Sequence, residues 1–420
     1  MTGLDTGQRA AAAAMANDLS TTLIAPRPFE HDDDFSPNSP RWRDQSLSKG
    51  AAGVAVLHGL RAQAGLADAT PVHAWLARAT RDDLTAGPGA GLWFGAPALA
   101  FALHNAAPGT YPGAMAGLDD GVTRLVHTRL TAAHARIDAG QRPSQYEFDL
   151  TRGLTGLGAY LLQRDPGGDL VRRVLDYLVR LTKPVEADDE AGAGAPGWWT
   201  SDSSAHNRDP AFAAGEANFG MAHGVSGPLS LLALALRQEV AVDGQEAAID
   251  RICQWLEDWK QQAPAGPWWP ERITVNELHT GRSRQDGPLR PSWCYGIPGL
   301  ARAQQLAALA LRDRVRQKAA EDALARCLSD PFQLARISDP ALCHGLAGLL
   351  ATTWHVAADA ATPALTDHLP HLLDRLLAHT RDTPSGALPG LIEGSAGIAL
   401  TLHTLATGTS GGWPACLLLN

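Results

Sequence analysis

"PSWCYGIPGLARAQQLAALALR", residues 291–312, sets a cysteine just ahead of a Gly-x-x-Gly turn, and the turn opens a run too apolar for an exposed helix. The same phrase returns along the chain. "SKGAAGVAVL" starts at Ser48, "WFGAPALAFAL" at Trp93, "TRGLTGLGAYLL" at Thr151, "AHGVSGPLSLLALAL" at Ala222, "CHGLAGLLATTWHV" at Cys343 and "IEGSAGIALTLHTLA" at Ile392. With Cys294 this makes seven repeats, whose first glycines are Gly50, Gly95, Gly153, Gly224, Gly296, Gly345 and Gly394. Each interval has room for two helices and their loops.

In every phrase the glycines permit tight turning and close backbone approach, and the residues that follow predict a buried inner helix. Between the phrases lie segments such as "QEAAIDRICQWLEDWKQQ" (245–262) and "LTDHLPHLLDRLLAHTRD" (365–382), with apolar residues at helical spacing and charges opposite. Those predict an outer layer. Alternating β-branched runs and two-residue hairpin signals are nearly absent, so the predicted fold is all-α. Seven inner and seven outer helices can stack as an open solenoid or close on themselves. Apolar character throughout the inner set and the lack of polar caps favour a closed, double-layered α/α toroid formed by one domain over residues 1–420. The second repeat departs from the pattern, with Ala98 in place of the second glycine.

Composition narrows the classes. The chain has 420 residues, Lys+Arg 35 against Asp+Glu 44 and 45% hydrophobic residues, which suits a large core and argues against nucleic-acid binding by charge. "AAAAMA" (11–16) lacks the length and basic flank of a signal peptide, and no stretch of about 18 uninterrupted apolar residues predicts a membrane span. The expected location is cytoplasmic. Five cysteines, Cys253, Cys294, Cys327, Cys343 and Cys416, form no disulfide framework of a small secreted domain.

If the ring closes, the seven turns share one face. The residue before each first glycine is then Lys49, Phe94, Arg152, His223, Tyr295, His344 and Glu393 in turn. Such a set is unusual at the mouths of core helices. Two before it stand Ser48, Trp93, Thr151, Ala222, Cys294, Cys343 and Ile392. Cys294, Cys343 and His344 fall together across these two positions, from adjacent repeats, and form a soft Cys2His donor set that suits zinc and leaves a fourth tetrahedral position open. A spacing of 49 residues matches no compact zinc motif, so buried thiols beside a helix-capping histidine are the alternative. Cys253, Cys327 and Cys416 lie outside the turns and read as packed thiols.

The segments "SWCYGIPG", "CHGLAG", "GMAHGVSG", "YEFDLTRGLTGLGAYLL" and "PGLIEGSAGIALTLH" together resemble the signature segments of the lanthipeptide cyclases, the LanC family, from about Ser48 onward. The resemblance implies an α/α toroid with a central Zn2+ held by Cys294, Cys343 and His344. It implies addition of a peptide cysteine thiolate to a dehydroalanine or dehydrobutyrine of the same peptide, giving a lanthionine or methyllanthionine ring. By match, His223 is the expected acid for the resulting enolate, and Asp149 assists or orients it. Asp149 can equally be a helix N-cap. Arg290 matches an arginine near the metal and Tyr295 an aromatic that supports the site; packing is the alternative for both. The partners implied are a dehydrated precursor peptide with its leader, a separate dehydratase, and in some members a transporter complex at the membrane.

Cyclases of this family can carry a small inserted domain in the region that corresponds to 100–146. The stretch 183–218, rich in Ala, Gly and acidic residues, reads as a loop over the active face. With 266–288 it brings Trp198, Trp199, Trp268 and Trp269, which either line a peptide groove or pin the loops down. Three other functions stay open. A toroidal glycosidase or lyase would use paired carboxylates such as Asp149 and Glu393. A zinc-dependent thiol transferase would act with glutathione on dehydrated proteins, and a non-catalytic scaffold would keep zinc for stability.

Overall fold

The computed structural model describes residues 3–26, 44–187, 189–201, 209–382 and 388–420. In chain order the principal helices are α1 (Thr6–Thr22), α2 (Ala51–Gln63), α3 (Thr70–Ala79), α4 (Ala96–Ala106), α5 (Pro112–Asp138), α6 (Leu154–Arg164), α7 (Asp169–Leu181), α8 (Ser226–Arg237), α9 (Gln245–Asp258), α10 (Ile297–Leu311), α11 (Arg314–Ser329), α12 (Leu346–Asp359), α13 (Leu369–Asp382) and α14 (Ser395–Thr407). The even-numbered members are the glycine-phrase helices. Their burial runs round the helix: in α10 every residue from Ile297 to Ala308 is buried. The odd-numbered members bury one stripe, as in α7 with Val171, Val174, Leu175, Leu178 and Leu181. Each such side chain taken from water contributes about 1.5–3 kcal/mol.

The glycine turns have a steric cause. A Cβ on Gly299 would lie 2.0 Å from the Trp293 carbonyl oxygen, and one on Gly348 would lie 1.8 Å from that of Leu342. The chain folds back onto the first turn of the helix it opens, and only glycine leaves the space. Repeat two solves the same problem differently. Gly95 takes φ +74°, in the left-handed region, and Ala98 then fits where the other repeats need glycine.

By contacts the chain divides into two compact units, Met1–Leu125 with Ser338–Ala358 and Thr362–Cys416, and Val126–Ile337 with Asp359–Ala361 and Leu417–Asn420. In the first, α2 packs on α3, α4 and α14, and α1 packs on α13 and α14. Backbone bonds join successive turns: Leu47 N–H to Trp93 O, Ile392 N–H to Ser48 O, and the Leu342 and Cys343 N–H groups to Ile392 O. In the second, α8 packs on α6 and α10, with α7, α9 and α11 outside. There the Leu150 N–H donates to Ala222 O, and the Met221 and Ala222 N–H groups donate to Cys294 O. Strands β1 (Ala217–Asn218), β2 (Gln261–Ala263), β3 (Gly266–Trp268) and β4 (Arg272–Ile273) form two antiparallel ribbons, β1 with β4 and β2 with β3.

Three regions differ from expectation or resolve it. The alanine-rich N-terminal run, which the sequence showed only to lack the features of a signal peptide, is an ordered element. It forms α1, started by an Asp5/Gln8 capping box and buried through Ala12, Ala16 and Ser20 at four-residue spacing. Most of the 100–146 stretch is occupied by the end of α4 and the single long helix α5. Residues 188 and 202–208 of the 183–218 loop lie outside the described residues. Trp198, Trp199, Trp268 and Trp269 are all buried, so they pin their loops and do not line a groove. Trp269 Nε1–H donates to Leu256 O at 2.7 Å, and Trp198 meets Trp255 edge-on.

Candidate functional site

The ligand atoms of Cys294, Cys343 and His344 all lie within 4.8 Å of one another, the grouping that the sequence placed in one register. An ion bonded at about 2.3 Å to sulfur and about 2.0–2.1 Å to imidazole nitrogen holds its donors roughly 3.5–4 Å apart, so the three residues fit a tetrahedral metal. Their backbones are fixed by the turns, the Cys294 carbonyl by two amides and the Cys343 amide by Ile392 O. Ser292 Oγ stands 3.5 Å from Cys294 Sγ, and Asp339 Oδ2 stands 3.6 Å from His344 Nε2. A carboxylate behind a ligating imidazole orients the ring and raises its basicity.

His223 and Asp149 form the second feature. His223 Nδ1 lies 2.7 Å from Asp149 Oδ2, and the aspartate is wholly buried while the histidine is 31% exposed. Asp149 also accepts from the Arg152 and Gly153 amides at Oδ1 and from Thr151 Oγ1 at Oδ2. A carboxylate only accepts, so His223 carries its proton on Nδ1 and turns Nε2 away from the aspartate. Asp149 thus serves both readings at once, capping the turn that leads into α6 and orienting the histidine.

Tyr295 stands beside this pair, its ring centroid 6.3 Å from that of His223. Its hydroxyl accepts from Arg272 at 3.0 Å and Asn218 at 3.3 Å, and the Arg272 guanidinium lies 5.3 Å from the ring centre. Burial pushes the Tyr295 hydroxyl above its usual range, and Arg272 offsets only part of that. Arg272 in turn faces Glu216 at 3.7 Å. Arg290 is half-buried, and its charge helps hold down the Glu271 carboxyl, which burial and then Cys294 push up. Sequence reasoning missed Asn218, Glu216, Glu271, Arg272 and Asp339. The first four sit in irregular segments without helical period, where the β1–β4 pairing aligns Asn218 with Arg272. Asp339 had a signal, an Asp six residues before Gly345.

Other rim residues are spent on structure. Lys49 and Glu393 pair at 3.0 Å, and Arg152 stacks over Tyr146 at 4.6 Å. With Glu393 paired and Asp149 saturated by hydrogen bonds, the carboxylates named for a glycosidase are committed elsewhere. Cys253, Cys327 and Cys416 are buried, and burial pushes the Cys327 and Cys416 thiols up, which keeps them inert. No helix among the described residues is long and apolar enough to cross a membrane.

Comparison with known proteins bears on the fold and the family. The solved structure of a nisin cyclase superposes with a TM-score of 0.74 over 98% of this chain and 97% of that one, at 19% identity. The fold class is therefore the all-α, double-layered α/α toroid. The nisin biosynthesis protein NisC of Lactococcus lactis subsp. lactis is 25% identical over 211 residues, 49% of this chain. That alignment spans about half of the relative's length, 48%. The profile described as Lanthionine synthetase C-like protein matches residues 41–418, and the chain belongs to that family.

Proposed function

We propose that the protein is a zinc-dependent lanthipeptide cyclase, which adds cysteine thiols of a dehydrated precursor peptide to dehydroalanine or dehydrobutyrine residues of the same peptide. The observation that carries the reading is the joint presence of the Cys294, Cys343 and His344 donors and the oriented Asp149–His223 pair. A free thiol of pKa near 8.5 is mostly protonated at neutral pH. Cys294, Cys343 and His344 would hold zinc, whose positive charge would favour the thiolate form of a substrate cysteine.

The residues of the chain supply the rest. In the addition a C–S bond forms at the β-carbon, the C=C bond is consumed, and the α-carbon takes one proton in place of the one lost from sulfur. His223, its Nδ1–H anchored on Asp149, presents Nε2 to deliver that proton, and its partial exposure lets it exchange with solvent. Charge that develops on the adjacent carbonyl oxygen is met by Arg290 and by Tyr295, which Arg272 and Asn218 hold in place. A partner dehydratase supplies the alkene, the leader of the precursor accompanies it, and a transporter complex at the membrane can receive the product. We place the reaction in the cytoplasm, where thiols stay reduced.

Metal analysis of the purified protein and its Cys294→Ala and Cys343→Ala variants tests the proposal, together with thiol alkylation of a dehydrated peptide after incubation. One zinc per chain, lost in both variants along with protection of peptide thiols from alkylation, is expected. A metal-free wild-type protein that still protects the thiols would overturn the role of zinc.

A further inference from the structure

Away from the glycine turns, a groove of about 730 Å³ opens between the β2–β3 turn, Pro288 and the end of α11 with the short helix Pro331–Leu334 that follows it. It is walled by residues 263–265 of the ribbon and by Ala325, and Phe332 stands at its lip. Phe332 is 82% exposed, and Leu289, next to the wall residue Pro288, is 43% exposed. Phe332 and Leu289 leave exposed apolar surface at and beside this cavity.

The charges of the groove say what would suit that surface. Asp330 is its carboxylate, and that group is consumed in capping: Oδ1 accepts from the Phe332 amide at 3.0 Å and Oδ2 from Gln333 Nε2 at 3.1 Å. The two arginines are not balanced in this way. Arg336 gives one N–H to the Pro288 carbonyl at 2.7 Å and keeps the rest of its fork. Arg326 makes no hydrogen bond or ion pair among the described residues, and its stem lies beside the ribbon. Gly266, at φ +117°, lies under it, and a Cβ there would fall 2.8 Å from Arg326 Cδ. An exposed guanidinium whose stem runs along a glycine at the wall of an apolar groove has its donors available for a carboxylate. This local excess of positive charge sits on a chain whose net charge is −9.

We propose that this groove docks an extended acidic peptide segment with a bulky apolar side chain, the carboxylates meeting Arg326 and Arg336 and the apolar group packing against Phe332. The assignment rests on the reading of the substrate as a peptide only in naming its source: the segment belongs to the substrate, remote from its reacting cysteines. Arg336 bonds to Pro288, and the chain from Pro288 reaches Cys294 through Arg290, so a peptide anchored here has a short path to the thiol site. Anchoring raises the effective concentration of successive cysteines without touching the chemistry.

The test is fluorescence anisotropy with a labelled octapeptide of alternating Glu/Asp and Leu/Phe, beside its Lys-substituted counterpart, on wild type, Arg326→Glu, Arg336→Glu and Phe332→Ala. The same titration is repeated on the Cys294→Ala protein, in which the proposed metal site is broken. We expect saturable binding of the acidic peptide only, weakened about tenfold or more by either charge reversal and by Phe332→Ala, and reduced as salt rises through about 0.3 M. Binding should persist in Cys294→Ala, so failure of the zinc reading leaves this result standing. Equal binding to all variants, preference for the basic peptide, or no binding overturns the proposal. So does a concentration-dependent dimer lost in Phe332→Ala, which would make a second copy of the chain the occupant. Circular dichroism of the exposed-site variants confirms that they fold.

Discussion

Two histidines stand one residue before a glycine turn and each faces an aspartate, but the pairs differ in depth. Asp149 is fully buried, holds His223 Nδ1 at 2.7 Å, and is itself fixed by two amides and a hydroxyl. Asp339 is 30% exposed, accepts from the Ala341 amide, and stands 3.6 Å from His344 Nε2. The same turn thus yields two devices. A buried, saturated carboxylate dictates which nitrogen carries the proton and how the ring points, as an acid–base group requires. A shallower one leaves the ring freedom to settle onto an ion while still biasing its tautomer. On the proposed function, depth of the partner carboxylate, more than identity of the pair, would separate the roles of the two histidines.

The sharpest way to break this comparison is Asp149→Asn. The amide can donate to Nδ1, which inverts the tautomer of His223, and the cyclisation rate should fall about a thousandfold with zinc content unchanged. A rate within threefold of wild type would make Asp149 a cap and no more. A third histidine sharpens the contrast, because His403 of α14 is buried with no carboxylate partner among the described residues. Burial, and then the charge of Arg61, pushes it down to about 4. Its folded pKa lies below the ordinary value, so the unfolded chain binds the extra proton. Stability should be intact above about pH 6.5 and fall by about 3 kcal/mol as the pH drops through that window to about 4. Urea unfolding of wild type and His403→Gln at pH 7 and pH 4.5 measures it, the variant losing less. The smallest effect is expected from Asp339→Asn: about 10–100-fold weaker zinc binding in competition with a chelator, and a nearly unchanged rate once zinc is saturating. If the rate fell as far as in Asp149→Asn, the two carboxylates would be equivalent and the distinction of depth would be lost.

Much of this was written in the sequence where backbone geometry forced a residue choice. A carbonyl within about 2 Å of where a Cβ would sit admits only glycine, so Gly299 and Gly348 announced their turns, and with them the register that gathers Cys294, Cys343 and His344. Helix α1 was harder to see, because its buried face is made of Ala12, Ala16 and Ser20 and carries almost no hydrophobic contrast. Arg272, Asn218 and Glu216 reach Tyr295 or its support through a two-residue ribbon between distant loops, a pairing with no local signature. The aromatic residues of those loops left two readings open, a peptide groove or loop anchors, and burial of Trp199 and its neighbours decides for anchors.

Helix α1 packs against α14, a segment about 370 residues later in the chain, whereas α6 to α11 neighbour one another in order. On a ribosome the stretch 126–337 has most of its partners within reach as it emerges, apart from Asp359 and the C-terminal Leu417 and Leu419 that Arg302 and Trp293 meet, but the wall that joins α1 to α14 must wait with its flank uncovered until the final repeat arrives. Chaperone dependence should therefore centre on that first segment, and a circular permutant that places α1 directly after α14 should shorten the wait.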